Sequence, residues 1–161
     1  MIRLRPVTEM DLTFIEMVYR STRETQLGID NWPELQRAAF FRMQSVAQDA
    51  EYRRAFPNAA FEIIEYNKKA AGRLYTGETA TEIRLIDISL LPDFRAKGIG
   101  TKIMNGLIKR ANDHRKLLTL HVEPDNPALQ LYLKLGFKHI PNNGRQYYLE
   151  FNPAAAQKKQ V

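Results

Sequence analysis

The segment Leu90-Leu91-Pro92-Asp93-Phe94-Arg95-Ala96-Lys97-Gly98-Ile99-Gly100-Thr101 holds residue types that could bind a phosphorylated anion. It lies between an apolar run and an amphipathic one, where a strand would hand over to a helix. A glycine-rich turn at a helix start aims several free backbone N–H groups at one point, and the helix dipole adds positive charge there. Gly98 and Gly100 allow an anion to meet the backbone without a Cβ in the way. Arg95 and Lys97 stand beside them as full charges. Two better-known phosphate patterns fail: no Walker spacing is present, and the dinucleotide pattern needs a third glycine where Ile103 stands. A plainer reading is that the two glycines only turn the chain into a close-packed helix.

Charge placement bears on the choice. Of 161 residues, 24 are Lys or Arg and 18 are Asp or Glu, a net +6. The stretch 95–116 carries seven cations (Arg95, Lys97, Lys102, Lys109, Arg110, Arg115 and Lys116) against Asp113 alone, which equals the whole net charge. Nucleic acid, a membrane surface and a phosphorylated small molecule are the candidate partners. The basic helix lacks interleaved aromatics, which argues against nucleic acid. With no cysteine, a disulfide scaffold, a thiolate metal site and a cysteine nucleophile are excluded, and no metal is expected. No run reaches the roughly 20 apolar residues of a membrane span, and nothing resembles a signal peptide, so a cytoplasmic protein acting without membrane contact is expected.

The elements that must position these groups follow from periodicity. Residues 2–7 predict a strand, and Thr8 predicts an N-cap with Asp11 as its capping box. A helix carrying Leu12, Ile15 and Tyr19 follows and ends before Gly28. A second helix begins at Asn31-Trp32-Pro33 and carries Leu35, Ala39, Met43, Val46 and Ala50, with its limit at Pro57. Strands are expected at 61–66, 70–76 and 81–90, the first two joined by Asn67-Lys68-Lys69. The apolar run Ile83, Leu85, Ile86, Ile88 and Leu90 suggests a central strand. A helix over 99–113, a strand over 117–122, a helix over 126–135 ended by Gly136, and a hairpin around Asn142-Asn143-Gly144 complete the α/β pattern.

A second segment, Asn126-Pro127-Ala128-Leu129-Gln130-Leu131-Tyr132-Leu133-Lys134-Leu135-Gly136-Phe137, resembles the Asn-x-Ala-x-x-Leu-Tyr-x-Lys-x-Gly-Phe block of the GNAT superfamily of acyl-CoA N-acyltransferases. The first segment is similar to that superfamily's Arg/Gln-x-x-Gly-x-Gly/Ala motif, and order and spacing agree over roughly residues 82–137. The resemblance implies a mixed sheet of six to seven strands with splayed central parallel strands and about four covering helices. It implies one domain over 1–152, with 153–161 as a flexible tail.

It also implies roles. The amides of Arg95, Ala96, Lys97, Gly98, Ile99, Gly100 and Thr101 would hold the pyrophosphate of acetyl-CoA. The backbone of Leu90, with Ile88 and Leu91, would pair with the pantetheine arm, and the Leu90 amide would serve as oxyanion donor. Asn126 would bond the pantetheine, Lys134 a cofactor phosphate, and Tyr132 would act as general acid. The implied activity is acetyl transfer to a primary amine of a small molecule, peptide or protein by direct attack. Dimers are frequent in this superfamily, so a homodimer is a possibility.

One departure stands out. Many members carry a Glu six residues before the position of Leu90; this chain has Arg84. His121 or Asp87 remains as candidate base, since histidine titrates near neutrality. Asp87 could instead pair with Arg84 or Arg73, and His121 could make a structural hydrogen bond. The acceptor wall would include Trp32, Gln48, Tyr52 and Glu123, with Trp32 equally readable as a core anchor. The missing Glu motivates an alternative: a non-catalytic acyl-CoA sensor.

Overall fold

The computed structural model describes residues 1–24 and 28–154. Strands β1 (Ile2–Pro6), β2 (Ala60–Tyr66), β3 (Lys69–Glu78), β4 (Glu82–Leu90), β5 (Leu117–Val122), β6 (Lys138–Ile140) and β7 (Tyr147–Phe151) form a mixed seven-stranded sheet in the order β1-β2-β3-β4-β5-β7-β6. The helices are α1 (Leu12–Arg23), α2 (Glu34–Ala55), α3 (Ile99–His114) and α4 (Ala128–Lys134). No described helix is long and apolar enough to cross a membrane. The chain divides into two compact units, Met1–Tyr75 with Asp87–Lys97, and Thr76–Ile86 with Gly98–Val161.

In the first unit β1 pairs antiparallel with β2, from Ile2↔Tyr66 to Pro6↔Glu62. Asn67 (φ 50°) and Lys68 (φ 70°) both adopt positive φ, the backbone of a type I′ turn, which matches strand twist and closes the β2–β3 hairpin tightly. The Thr8 hydroxyl accepts from Met10 N–H, and the Asp11 carboxylate accepts from Thr8 N–H at 2.8 Å, the expected reciprocal cap. Arg5 clamps the same carboxylate with two bonds of 2.8 and 2.9 Å and holds it well below the usual carboxylate range. Tyr19, Ile29 and Phe41 form a local core with Phe40 against it.

Helix α2 departs from its sequence reading. Leu35, Ala39, Met43, Val46 and Ala50 all face out; Leu35 is 87%, Met43 58% and Val46 65% exposed. The inward face carries Phe41, Ser45, Gln48, Asp49 and Tyr52. Two stripes compete for the core, and the polar one wins because β3 and β4 offer it hydrogen-bond partners. Among these partners is Arg73, only 2% exposed.

In the second unit β4 runs parallel to β5 from Glu82↔Leu117 to Leu85↔Leu120, and the register ends there although β4 continues to Leu90. Beyond β5 come β7 and β6, both antiparallel, with Leu118↔Phe151 and Lys138↔Glu150. Ile99, Ile103, Met104, Leu107 and Ala111 bury the predicted face of α3. Gly136, at φ 104°, ends α4. Of the expected tail, 155–161 lies outside the described residues; Pro153 is buried, and Ala154 N–H donates to Asn152 Oδ1 at 3.0 Å. Residues 25–27, in the expected α1–α2 connection, also lie outside.

Candidate active site

The C-terminal part of β4 is held by β3. Leu91 N–H donates to Ala71 O at 2.9 Å. Gly72 makes this approach possible: a Cβ there would stand 2.0 Å from Ser89 O and 2.9 Å from Leu90 Cα. In extended backbone successive amides point to opposite sides, so the Leu90 amide points away from β3. The chain then passes through the short 3-10 turn Pro92–Phe94. Arg95 folds back, its Nε donating to Leu90 O at 2.9 Å, and Ala96 takes a left-handed φ of 59°. A non-glycine residue in that region is strained by about 1 kcal/mol, a cost typically borne at ligand-facing turns.

The second unit opens on the helix start. Gly98 sits at φ 80° as the residue before α3 and supplies no side-chain cap. Lys102 N–H closes the first turn on Gly98 O, so the amides of Ile99, Gly100 and Thr101 precede any intrahelical partner. A Cβ built on Gly98 or Gly100 meets no atom within 4 Å. Open space over uncapped amides, with Lys97 and Lys102 both exposed, is what a pyrophosphate needs. The residues present fit that group.

Asn126 starts α4. Its Oδ1 accepts from Ala128 N–H at 2.9 Å, and its carbonyl accepts from Leu129 N–H at 3.0 Å. Tyr132 is 6% exposed, its ring 5.8 Å from that of Phe137. Lys134 is exposed in the last turn of α4.

The two candidate bases fall in different units, and an arginine engages each. Asp87 accepts four bonds: from Arg73 Nε (3.3 Å) and Ser89 Oγ (2.7 Å) on Oδ1, and from Arg73 Nη2 (3.0 Å) and Tyr52 OH (3.0 Å) on Oδ2. A carboxylate has about four acceptor positions, so all are filled. Gln48 Oε1 takes another Arg73 hydrogen at 2.6 Å. Burial and the Asp87 charge push the Tyr52 hydroxyl well above the usual phenol range. Gln48 and Tyr52, expected at the acceptor wall, are thus committed to this buried ion pair.

His121 is exposed on β5, and its Nδ1 lies 2.8 Å from Arg84 Nη1. Arg84 also donates to Thr119 Oγ1 (2.8 Å), pairs with Glu82 (3.4 Å) and lies over the Tyr148 ring at 5.6 Å. Partial burial and the Arg84 charge lower the His121 pKa. Glu123 is half-buried, with Gln146 donating to it at 3.3 Å. Trp32 is 43% exposed and meets Phe40 edge-on at 5.5 Å, so it is no core anchor. Gly72 and Ser89 escaped the sequence reading; a glycine inside a strand pattern was the available signal.

The model of the acetyltransferase (GNAT) family matches residues 25–137, and the chain belongs to that family. Its members take their acyl group from acetyl-coenzyme A. Among solved structures, the chain is similar to the PaiA N-acetyltransferase of Thermoplasma acidophilum, crystallised with coenzyme A. That match has 21% identity and a TM-score of 0.66, covering 94% of this chain and 99% of the other. PH1933 of Pyrococcus horikoshii shares 17% identity at a TM-score of 0.70, over 94% and 98%. An N-acetyltransferase of Staphylococcus aureus Mu50 shares 20% at 0.62, over 95% and 99%. No curated protein matches the chain.

Proposed function

We propose that the chain transfers an acetyl group from acetyl-coenzyme A to a primary amine by direct attack within a ternary complex. We further take residues 1–152 as one catalytic domain acting in the cytoplasm. The observation that carries the reading is the uncapped start of α3, where Gly98 and Gly100 leave open space above free amides. Arg95, Lys97 and the amides through Thr101 would hold the pyrophosphate. When bound, the cofactor supplies an activated thioester. Leu90 N–H, turned away from β3, suits a donor to the oxyanion that forms as the amine attacks. Tyr132 would donate its hydroxyl hydrogen toward the departing sulfur as charge forms there and regain it from solvent, to which the attacking amine would give up its proton. Asn126 and Lys134 would steady the rest of the cofactor, and Ile88 and Leu91 would flank its arm.

With both Asp87 and His121 engaged by arginines, the amine best suited is one that needs little help in losing its proton. An α-amine, of pKa near 8, meets that condition. The same engagement favours a second reading, an acyl-CoA sensor without turnover.

One experiment separates the two. Thiol release from acetyl-CoA is followed across a panel of α-amines, ε-amines and polyamines, for the wild type and Tyr132→Phe. Turnover with an α-amine, lowered at least tenfold in the variant, supports the transferase. Tight cofactor binding without turnover on any amine supports the sensor.

A further inference from the structure

The buried pair of Arg73 and Asp87 also holds a hydroxyl. Ser89 Oγ donates to Asp87 Oδ1 at 2.7 Å. That bond runs only one way: the carboxylate accepts from Arg73 and Tyr52 as well and has no hydrogen of its own to give. A serine hydroxyl free to rotate can donate or accept. This one has its single hydrogen committed and keeps only lone pairs for a third group. Its backbone is fixed too. Ser89 O lies where a Cβ on Gly72 would come within 2.0 Å, and two residues on Leu91 N–H bonds Ala71 O at 2.9 Å. Ser89 is half-buried, which leaves those lone pairs within reach. It directly precedes Leu90, whose amide points away from β3.

We infer that Ser89 Oγ accepts an N–H of the attacking amine and so turns the nitrogen lone pair toward the carbonyl carbon. The inference rests on the reading of the chain as an amine acetyltransferase. A neutral primary amine has two N–H hydrogens and one lone pair, and it attacks only with the lone pair facing the carbon. A hydrogen bond from one N–H to a fixed oxygen selects that orientation. An oxygen still able to donate would take the lone pair instead and hold the amine the wrong way round; the bond to Asp87 excludes this. Asp87 cannot take the role itself, because its four acceptor positions are filled. Consecutive Cα atoms stand ~3.8 Å apart, so Ser89 can hold the amine while the Leu90 amide meets the oxygen of the same carbonyl. Ser89 orients the amine and does not deprotonate it. A proton passed on to Asp87 would leave the Arg73 charge buried without its counter-charge. The buried ion pair, costly in itself, thereby sets the polarity of one hydroxyl.

Thiol release with alanine amide as the α-amine tests this, together with calorimetric titration of alanine amide into the coenzyme A complex. Both use the full chain, Ser89→Ala and Ser89→Thr, with a thermal melt to check folding. Ser89→Ala should lower kcat/KM for the amine at least tenfold, while the KM for acetyl-CoA stays within about twofold. The loss should be equal at pH ~7 and pH ~9, on either side of the amine's own pKa near 8, because the hydroxyl orients the nitrogen rather than taking its proton. Ser89→Thr keeps the hydroxyl on a residue type at home in strands, and should retain at least about a third of the wild-type kcat/KM. In the calorimeter Ser89→Ala should bind the amine at least threefold more weakly. Undiminished turnover in Ser89→Ala, a loss that disappears at pH ~9, or a threonine variant as slow as the alanine one would each overturn the role of Ser89 and leave the transferase standing. Amine binding that weakens in Ser89→Ala, with no turnover in either protein, would support the Ser89 contact and overturn the transferase. Without turnover, an amine bound equally by both proteins, or by neither, would overturn both.

Discussion

Arg84 Nη1 lies 2.8 Å from His121 Nδ1. A guanidinium has only hydrogens to offer and keeps its charge at any physiological pH, so Arg84 donates and Nδ1 accepts. The hydrogen of the neutral ring is therefore on Nε2. The one lone pair that could take up a proton already holds a hydrogen bond, and protonation would set a second cation beside Arg84. Arg84, six residues before Leu90, thus occupies the lone pair through which His121 would act as a base.

A pH dependence follows. The rate with an α-amine should rise with the amine's own ionisation, centred near pH ~8, with no inflection near the usual histidine value of about 6.5. Because folding lowers the His121 pKa, the unfolded chain takes up the proton first. Stability contributed by this group is present above about pH 6.5 and declines as pH falls below it. Ring nitrogen NMR shifts should report the Nε2–H tautomer, and Arg84→Gln should raise the ring pKa. An Nδ1–H tautomer in the wild type would overturn this assignment.

Gly100→Asp should abolish acetyl-CoA binding with little loss of fold. Its Cβ meets open space, and an acid in the first helical turn suits the dipole. The carboxylate would face the phosphates. Gly98→Asp is the less clean variant, since φ 80° strains any side chain by about 1 kcal/mol or more. Calorimetric titration with acetyl-CoA decides it; an unchanged affinity in Gly100→Asp counts against the phosphate site.

Gly72→Ala should both destabilise and slow the enzyme. The new methyl carbon would stand 2.0 Å from Ser89 O, and backbone cannot rotate away as a side chain would. Overpacking of this kind costs about 1–3 kcal/mol, or roughly 2–4 °C of Tm per kcal/mol for a chain of this size. If the Leu90 amide stabilises the oxyanion, the folded variant should lose kcat by more than its acetyl-CoA affinity weakens.

Asp87→Ala should cost about 3–5 kcal/mol, because it leaves the Arg73 charge buried without its partner. Arg73→Met combined with Asp87→Leu should recover most of that loss. Urea unfolding of both variants measures it. A single variant as stable as wild type would show that the pair carries no structural weight.

The glycine turn before α3, the caps and most strands were legible because they rest on local rules. Thr8 and Asp11 sit three residues apart and cap a helix start wherever that spacing occurs. Gly98 and Gly136 take the positive φ that glycine alone adopts without strain. Ile99, Ile103, Met104 and Leu107 present one helical face with no rival on the same helix. A helix start with uncapped amides depends on contiguous backbone, so its pattern survives in sequence.

Other features depended on partners distant in the chain. Periodicity marked Leu35, Met43 and Val46 as a face of α2, but could not say that Gln48 and Tyr52 would find Arg73 and Asp87 on neighbouring strands. Burying that ion pair unmatched would have been costly, so the polar face turned inward and the apolar one outward. The sequence likewise offered His121 and Asp87 as candidate bases by residue type alone. A lone pair is available only if no donor already holds it. Which donors reach it was decided when Arg84 was folded beside His121 and Arg73 beside Asp87. Residue types and local spacing thus determined the family and the glycine turn before α3, while the tertiary arrangement decided which donors reach each ionisable group.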